Sequence, residues 1–162
     1  MDHIFRDTVS NALRYLESIG LSFHSIDENP QEWIILGVIP TNIGDIRLSV
    51  LIRQSPRVMI VYIYHPISIL KSSRNKASEF VNRANYGLPQ GNFELDLNDG
   101  ELRYKVSTPF LTTPISLEMF RFFVNTALST MSYYHTPLVQ ILYNDIDPRV
   151  AIQLAEQEKP AE

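Results

Sequence analysis

The stretch Asn92–Val106 constrains the fold most, because two alternating apolar/polar runs flank an Asp99-Gly100 pair. Apolar side chains at every second position are the signature of strands with one buried face. Asp-Gly favours a type I′ turn, in which both central residues take positive φ. A two-residue turn at that pair sets Leu97 opposite Leu102, Leu95 opposite Tyr104 and Phe93 opposite Val106. The same register faces Asp96 with Arg103 and Glu94 with Lys105, giving one apolar face and one face with two ion pairs. Upstream, Ala77, Phe80, Val81 and Ala84 recur at helical spacing and predict an amphipathic helix. Gly87 is placed to close that helix in the left-handed conformation.

The run Phe80-Val81-Asn82-Arg83-Ala84-Asn85, the break through Gly91, the strand Phe93-Glu94-Leu95-Asp96-Leu97 and the Asp99-Gly100 hairpin resemble the YbjN family. In that family an Asn-containing helix leads through a glycine into such a hairpin, and a long helix follows. The chain is similar, more distantly, to the type III secretion chaperones, which share the fold. The order of elements agrees over residues 1–143, and the specific motif covers residues 80–106. The resemblance implies an α+β sandwich, often dimeric, and brings no catalytic residues with it.

The remaining elements follow from periodicity. Residues 3–19 predict a helix whose inner stripe is Ile4, Phe5, Thr8, Ala12, Leu13, Leu16 and Ile19, stopped by Gly20. Leu21–Ile26 reads as a short strand and Asp27–Pro30 as a turn. Trp33–Ile39 is an apolar run between two prolines, as expected of a strand buried on both faces. Ile46, Leu48, Val50 and Ile52 alternate with more polar residues, and Val58–Tyr64 is apolar throughout. Joining these two strands by a short even-numbered turn sets Ile52 opposite Met59, Val50 opposite Val61 and Leu48 opposite Ile63. The reverse face then holds Leu51, Val58, Ile60, Tyr62 and Tyr64 among Arg47 and Arg53.

Ser72 or Ser73 is the expected cap of the helix that carries Phe80. A long helix is predicted from Ser116 to about His135, broken or kinked by Pro137. Leu117, Phe120, Val124, Ala127, Leu128 and Met131 form its main stripe, with Met119, Phe122 and Phe123 off it. Asp147-Pro148 reads as the cap and first-turn proline of a short helix ending near Glu156. The predicted architecture is α+β: an antiparallel sheet of about five strands, a three-strand meander plus a hairpin, packed with three main helices in the order α-βββ-α-ββ-α. Residues 1–143 form one domain, and residues 144–162 a C-terminal extension with a short helix and frayed tail.

Composition narrows the chemistry. A net charge of −4 and a pI near 5.5 argue against a general nucleic-acid binder. Without cysteines the fold uses neither disulfides nor thiolate metal ligands. No signal peptide is visible, and no apolar run approaches the ~20 residues that span a bilayer, so the sequence predicts a soluble cytoplasmic protein without membrane attachment. His3, His24, His65 and His135 lack ligand spacing, and no phosphate-cradling glycine loop or nucleophile elbow is present. Asp96-x-Asn98-Asp99-Gly100 superficially suits calcium, but the glycine falls fifth and the twelfth residue is Ser107. No catalytic, cofactor or metal residues are therefore assigned. Asn82 and Asn85 are read as serving backbone groups at a helix end, and Arg53, Arg57, Lys71, Arg74 and Lys76 as a solvated surface.

Two functional classes remain. The first is a non-catalytic, chaperone-like or regulatory module that binds a protein or peptide and works as a homodimer, since more apolar surface is patterned than one chain's own layers cover. Its candidate surfaces are Leu51, Ile60, Tyr62 and Tyr64 on the sheet, and Phe122 and Phe123 on the long helix. The second is a small-ligand-binding domain or enzyme with a pocket between sheet and helices, for which Asn82, Asn85, His65 and Tyr104 are the polar candidates. The first class accounts for more of the sequence.

Overall fold

The structure, a computed structural model, describes residues 2–29 and 31–157. The chain runs α1 (His3–Ser18), β1 (Phe23–Asn29), β2 (Glu32–Thr41), β3 (Gly44–Gln54), β4 (Arg57–Tyr64), α2 (Arg74–Tyr86), β5 (Asn92–Leu95), β6 (Leu102–Pro109), α3 (Leu117–Asn144) and α4 (Pro148–Gln157), with a single 3₁₀ turn ahead of α2. The strands form one antiparallel sheet in the order β1-β2-β3-β4-β6-β5. The predicted α+β class holds. The sheet has six strands rather than about five, because β1 extends through Asp27–Asn29, the segment expected to turn, and pairs with β2. Pro30 and the tail 158–162 lie outside the described residues.

The core grows from one sheet face. Ile46, Leu48, Val50 and Ile52 of β3 pack beside Met59, Val61 and Ile63 of β4 in the predicted register. Leu102, Tyr104 and Val106 of β6 continue that face, and α1, α2 and α3 cover it. Tyr15 of α1 meets Phe120 of α3 edge-on at 5.3 Å. Phe93 of β5 contacts both Tyr104 (4.9 Å) and Tyr134 of α3 (5.5 Å), and Tyr134 meets Phe80 of α2. This ring cluster joins two helices to the sheet, each edge-on pair adding to the burial of large apolar area.

Several elements depart from expectation for local reasons. Leu36 and Val38 of β2 are exposed, so that strand is buried on one face only. Ile19 sits outside α1 and is exposed, while Tyr15 is buried in its place, and Gly20 at φ +67° ends the helix as predicted. Gly87 caps α2 at φ −101°, not in the left-handed region; its N–H bonds to the Ala84 carbonyl in a tightened last turn. Ser73 takes the cap position of α2 without a side-chain bond, whereas Ser116 caps α3 by accepting from the Met119 N–H at 3.1 Å. Pro137 does not end α3, which runs 28 residues. Buried Tyr134, Leu138 and Ile141 anchor the helix on both sides of the proline, and packing outweighs the missing donor.

The hairpin is the largest correction. Leu95 faces Leu102, Phe93 faces Tyr104, and Glu94 faces Arg103, two residues out of the predicted register. A slip of two preserves the apolar face. Glu94 bonds Arg103 at 2.7 Å and its diagonal neighbour Lys105 at 3.1 Å, while Asp96 has no place beside Arg103. Instead Asp96 accepts from the Asn98 backbone at 2.7 Å, and Asp99 from the Glu101 backbone at 2.8 Å, two Asx turns that build a wider loop. The loop is held from outside: Arg74 Nη1 donates to the Leu97 and Asn98 carbonyls at 3.0 Å, and the Ile69 N–H donates to the Gly100 carbonyl at 2.9 Å.

Gly100 has φ +84°, and a Cβ there would stand 2.0 Å from the Ile69 carbonyl oxygen. Backbone meets backbone at that point, so no side-chain rearrangement relieves the clash. Gly100→Ala should destabilise the protein by about 2–5 kcal/mol, from strained φ plus overpacking. Lys105→Ala, which removes one arm of an ion pair, should cost about 0.2–1 kcal/mol. Urea denaturation midpoints at constant m-value check both, and equal effects would refute the close-approach account.

Candidate interaction surface

The sheet's second face is not covered by any described helix. Across it the register aligns Ile34, Leu51 and Ile60 as a central apolar row. A second row carries Leu36, Ser49, Tyr62 and Lys105, and a third Val38, Arg47, Tyr64, Arg103 and Glu94. Alternation along each strand forces this arrangement, since the residues between them are committed to the core. Leu51, Ile60, Tyr62 and Tyr64, the four sheet positions singled out in the sequence, therefore lie together and half-buried. Ile34, Leu36 and Val38 belong to the same surface. Reading Trp33–Ile39 as buried on both faces hid them.

Charge on this face is locally compensated. The Arg47 guanidinium lies 4.6 Å from the Tyr64 ring centroid and 2.9 Å from Glu101, and that of Arg103 lies 4.4 Å from the Tyr62 ring. Arg53 bonds Glu32 at 2.6 Å. Burial on its own would raise the Glu94 carboxyl, but hydrogen bonds from Lys105 and Arg103 outweigh it and hold the group below its ordinary value. At neutral pH the face thus presents stacked, ion-paired arginines around an apolar centre. His24, Leu36, Val38, Arg47, Ser49 and Tyr64 line a shallow cleft of about 420 Å³ in it.

The helical pair divides. Phe122 is 53% exposed beside exposed Met119, but Phe123 is only 5% exposed and belongs to the core. Phe122 and Phe123 therefore do not form one patch. The polar candidates do not converge either. Asn85 bonds both backbone groups of Phe93, accepting at 2.7 Å and donating at 2.9 Å, so it ties the end of α2 to β5. Asn82 is exposed, and the buried Tyr104 hydroxyl donates to the Gln90 carbonyl.

His65 has a different role. It is buried directly after β4, with Nε2 3.0 Å from Nδ1 of His135 on α3 and the rings stacked at 26°. Seventy residues of sequence separate the two, so no spacing rule could have paired them. Its Nδ1 lies between the Ile67 N–H, at 3.2 Å, and the Ile67 carbonyl oxygen, at 3.3 Å, while Nε2 shares a hydrogen bond with His135. Burial first, and repulsion from His135 as well, push His65 down to about 4, against the Ile67 carbonyl, which favours a protonated Nδ1; burial also lowers His135. Asp45, Arg47, Asp99 and Glu101 face the same small cleft.

This depressed value has a stability consequence. The unfolded chain binds the His65 proton near pH 6.5 and the folded chain only near 4, so its contribution is intact above about pH 6.5 and is lost as pH falls toward 4. The loss should amount to about 3 kcal/mol. Denaturation of wild type and His65→Phe at pH 7 and pH 4 checks it: the wild type should lose more stability than the variant, and parallel losses would disprove the assignment.

Two layers, with helices on one face of a six-stranded antiparallel sheet and apolar, tyrosine and arginine side chains on the other, define a small α+β domain. A family profile, YbjN, described as "putative bacterial sensory transduction regulator", matches residues 13–138, and the chain belongs to that family. Among solved structures, the chain is similar to one titled "Crystal structure of YbjN, a putative transcription regulator from E. coli". The two share 16% identity over 76% of this chain and 85% of that one, with a TM-score of 0.53. At that identity the likeness speaks for the fold. No curated protein matches the chain. No helix among the described residues is long and apolar enough to cross a membrane.

Proposed function

We propose that the chain is a non-catalytic regulatory module that works by binding protein, as a homodimer assembled through the open sheet face. The observation that carries this reading is the apolar row Ile34–Leu51–Ile60, bordered by tyrosines and by both signs of charge. Such a surface can meet a second copy of itself, as a two-fold interface requires, because its apolar row is bordered by tyrosines and by ion pairs already satisfied within each chain. The description of the family as regulators, rather than as enzymes, is consistent with it. Within that frame a chaperone-like hold on a protein or peptide partner, in the manner of the secretion chaperones, is the mode of action we favour. A catalytic or small-ligand reading has less support, because Asn85, Tyr104 and His65 each satisfy a structural partner in a different place.

Light scattering of the wild type at high micromolar concentration should give a dimer. Ile60→Asp should give a folded monomer, since the side chain is half-buried on the outer face and its charge would appear twice in the interface. Phe122→Asp should leave the dimer intact. A wild-type monomer, or dissociation by Phe122→Asp alone, would remove the sheet-face dimer. Addition of divalent cations, NAD or ATP should not raise the melting temperature, because a ligand of the native state stabilises it by mass action. A shift of several degrees with any of them would favour the ligand-site reading.

A further inference from the structure

We infer that the cleft between α1 and β2 is a binding site for a small carboxylate with an apolar body. The cleft opens on the helical side of the sheet, so it stands independently of a dimer built through the other face.

α1 presents two stripes to this cleft. Arg6, Ser10 and Arg14 follow one another one turn apart, and Val9 and Leu13 run beside them. Trp33 of β2 forms the opposite wall, on the sheet face that carries its cross-strand neighbour Ile52 into the core. The space between is about 320 Å³, enough for a small molecule, since ligand pockets run from about 300 Å³ upward.

The polar groups of these walls are unmet donors. Arg47, Arg53, Arg57 and Arg103 each hold a carboxylate. Among the described residues Arg6 and Arg14 hold none, and neither they nor Ser10 make a side-chain hydrogen bond. Trp33 Nε1 is buried without an acceptor, a state native proteins leave to very few polar groups. Two guanidiniums, a hydroxyl and an indole N–H thus border one cleft, and an acceptor is what its walls lack.

Geometry and charge select the ligand. Arg6 and Arg14 are separated by about 12 Å of helix, so an anion beside Ser10 lies within reach of both flexible side chains. A guanidinium matches the two oxygens of a carboxylate, while Val9, Leu13 and the Trp33 ring offer apolar surface to the rest of the molecule. Glu17, the one acid on the cleft, stands beyond Arg14 and disfavours a second negative group at that end. The ligand is therefore a monoacid, either a free acid or the C-terminal carboxylate of a peptide ending in apolar residues.

Trp33 is the chain's single tryptophan, so its fluorescence reports from inside the site. Titrating the full-length protein with phenylacetate should change the emission saturably. Phenylacetamide, the same body without the charge, should bind about tenfold more weakly or not at all. Arg6→Gln and Arg14→Gln, both at exposed positions, should melt as wild type and each weaken phenylacetate binding about tenfold. Arg121→Gln, on the exposed side of α3 and outside the cleft, should leave it unchanged. N-acetyl-leucyl-phenylalanine tests the peptide source: tighter binding than phenylacetate assigns the site to a chain end, weaker binding to a free acid, and both support the inference. No saturable change with either acid, or equal binding of phenylacetate and its amide, would overturn it. Unchanged affinity in both cleft arginine variants would do the same, as would an equal loss in Arg121→Gln, which would show only a general attraction for anions.

Discussion

The structure depends on one row of side chains across the sheet: Leu48, Ile63, Tyr104 and Phe93, each opposite the next on neighbouring strands. All four are buried. Phe93 and Tyr104 then meet Tyr134, and through it Phe80, so one line of contacts fixes the strands and places α2 and α3 upon them. Core packing of this density tolerates little displacement, and a shift of any one strand by a single residue would turn its apolar set outward. Everything on the opposite face follows. Once these residues are committed inward, Leu51, Ile60, Tyr62 and Tyr64 have no alternative but the outer surface.

The loop between β5 and β6 shows a second constraint acting over a longer range. Two Asx turns, the Arg74 guanidinium and the Ile69 backbone all converge on residues 96–100. That clamp joins the entry to α2 to the end of the sheet and supplies partners for backbone groups that a two-residue turn would have satisfied within the hairpin. A tight turn would be adequate in isolation. The wider loop wins because it answers two elements at once.

The two layers divide the molecule's surfaces between them. The sheet's free face has a mixed apolar, aromatic and ionic texture. The helical layer carries α4 packed against α2 and α3, with Ala151, Ile152 and Ala155 in the core. His65 and His135 sit where β4 leaves the sheet beneath α3, and their neutral hydrogen bond ties the layers together at the pH where both rings are uncharged.

The sequence by itself determined the elements whose periodicity meets a single partner surface. The pairing of β3 with β4, the buried face of α2, the stop at Gly20 and the cap at Asp147 were all legible, because each rests on residues within a turn or a strand of one another. The four sheet positions of the candidate surface were legible for the same reason: strand alternation assigns faces without knowledge of the tertiary fold. Only the tertiary structure decided the rest. Ile69 and Arg74 set the hairpin loop, neighbours on both sides carried α3 through Pro137, and the floor beneath α3 buried Phe123 while leaving Phe122 in solvent. His65 and His135 were brought together the same way, across seventy residues. Where a local preference was overruled, about 1–3 kcal/mol met packing and backbone satisfaction worth several, and the larger interactions came from residues far away in sequence.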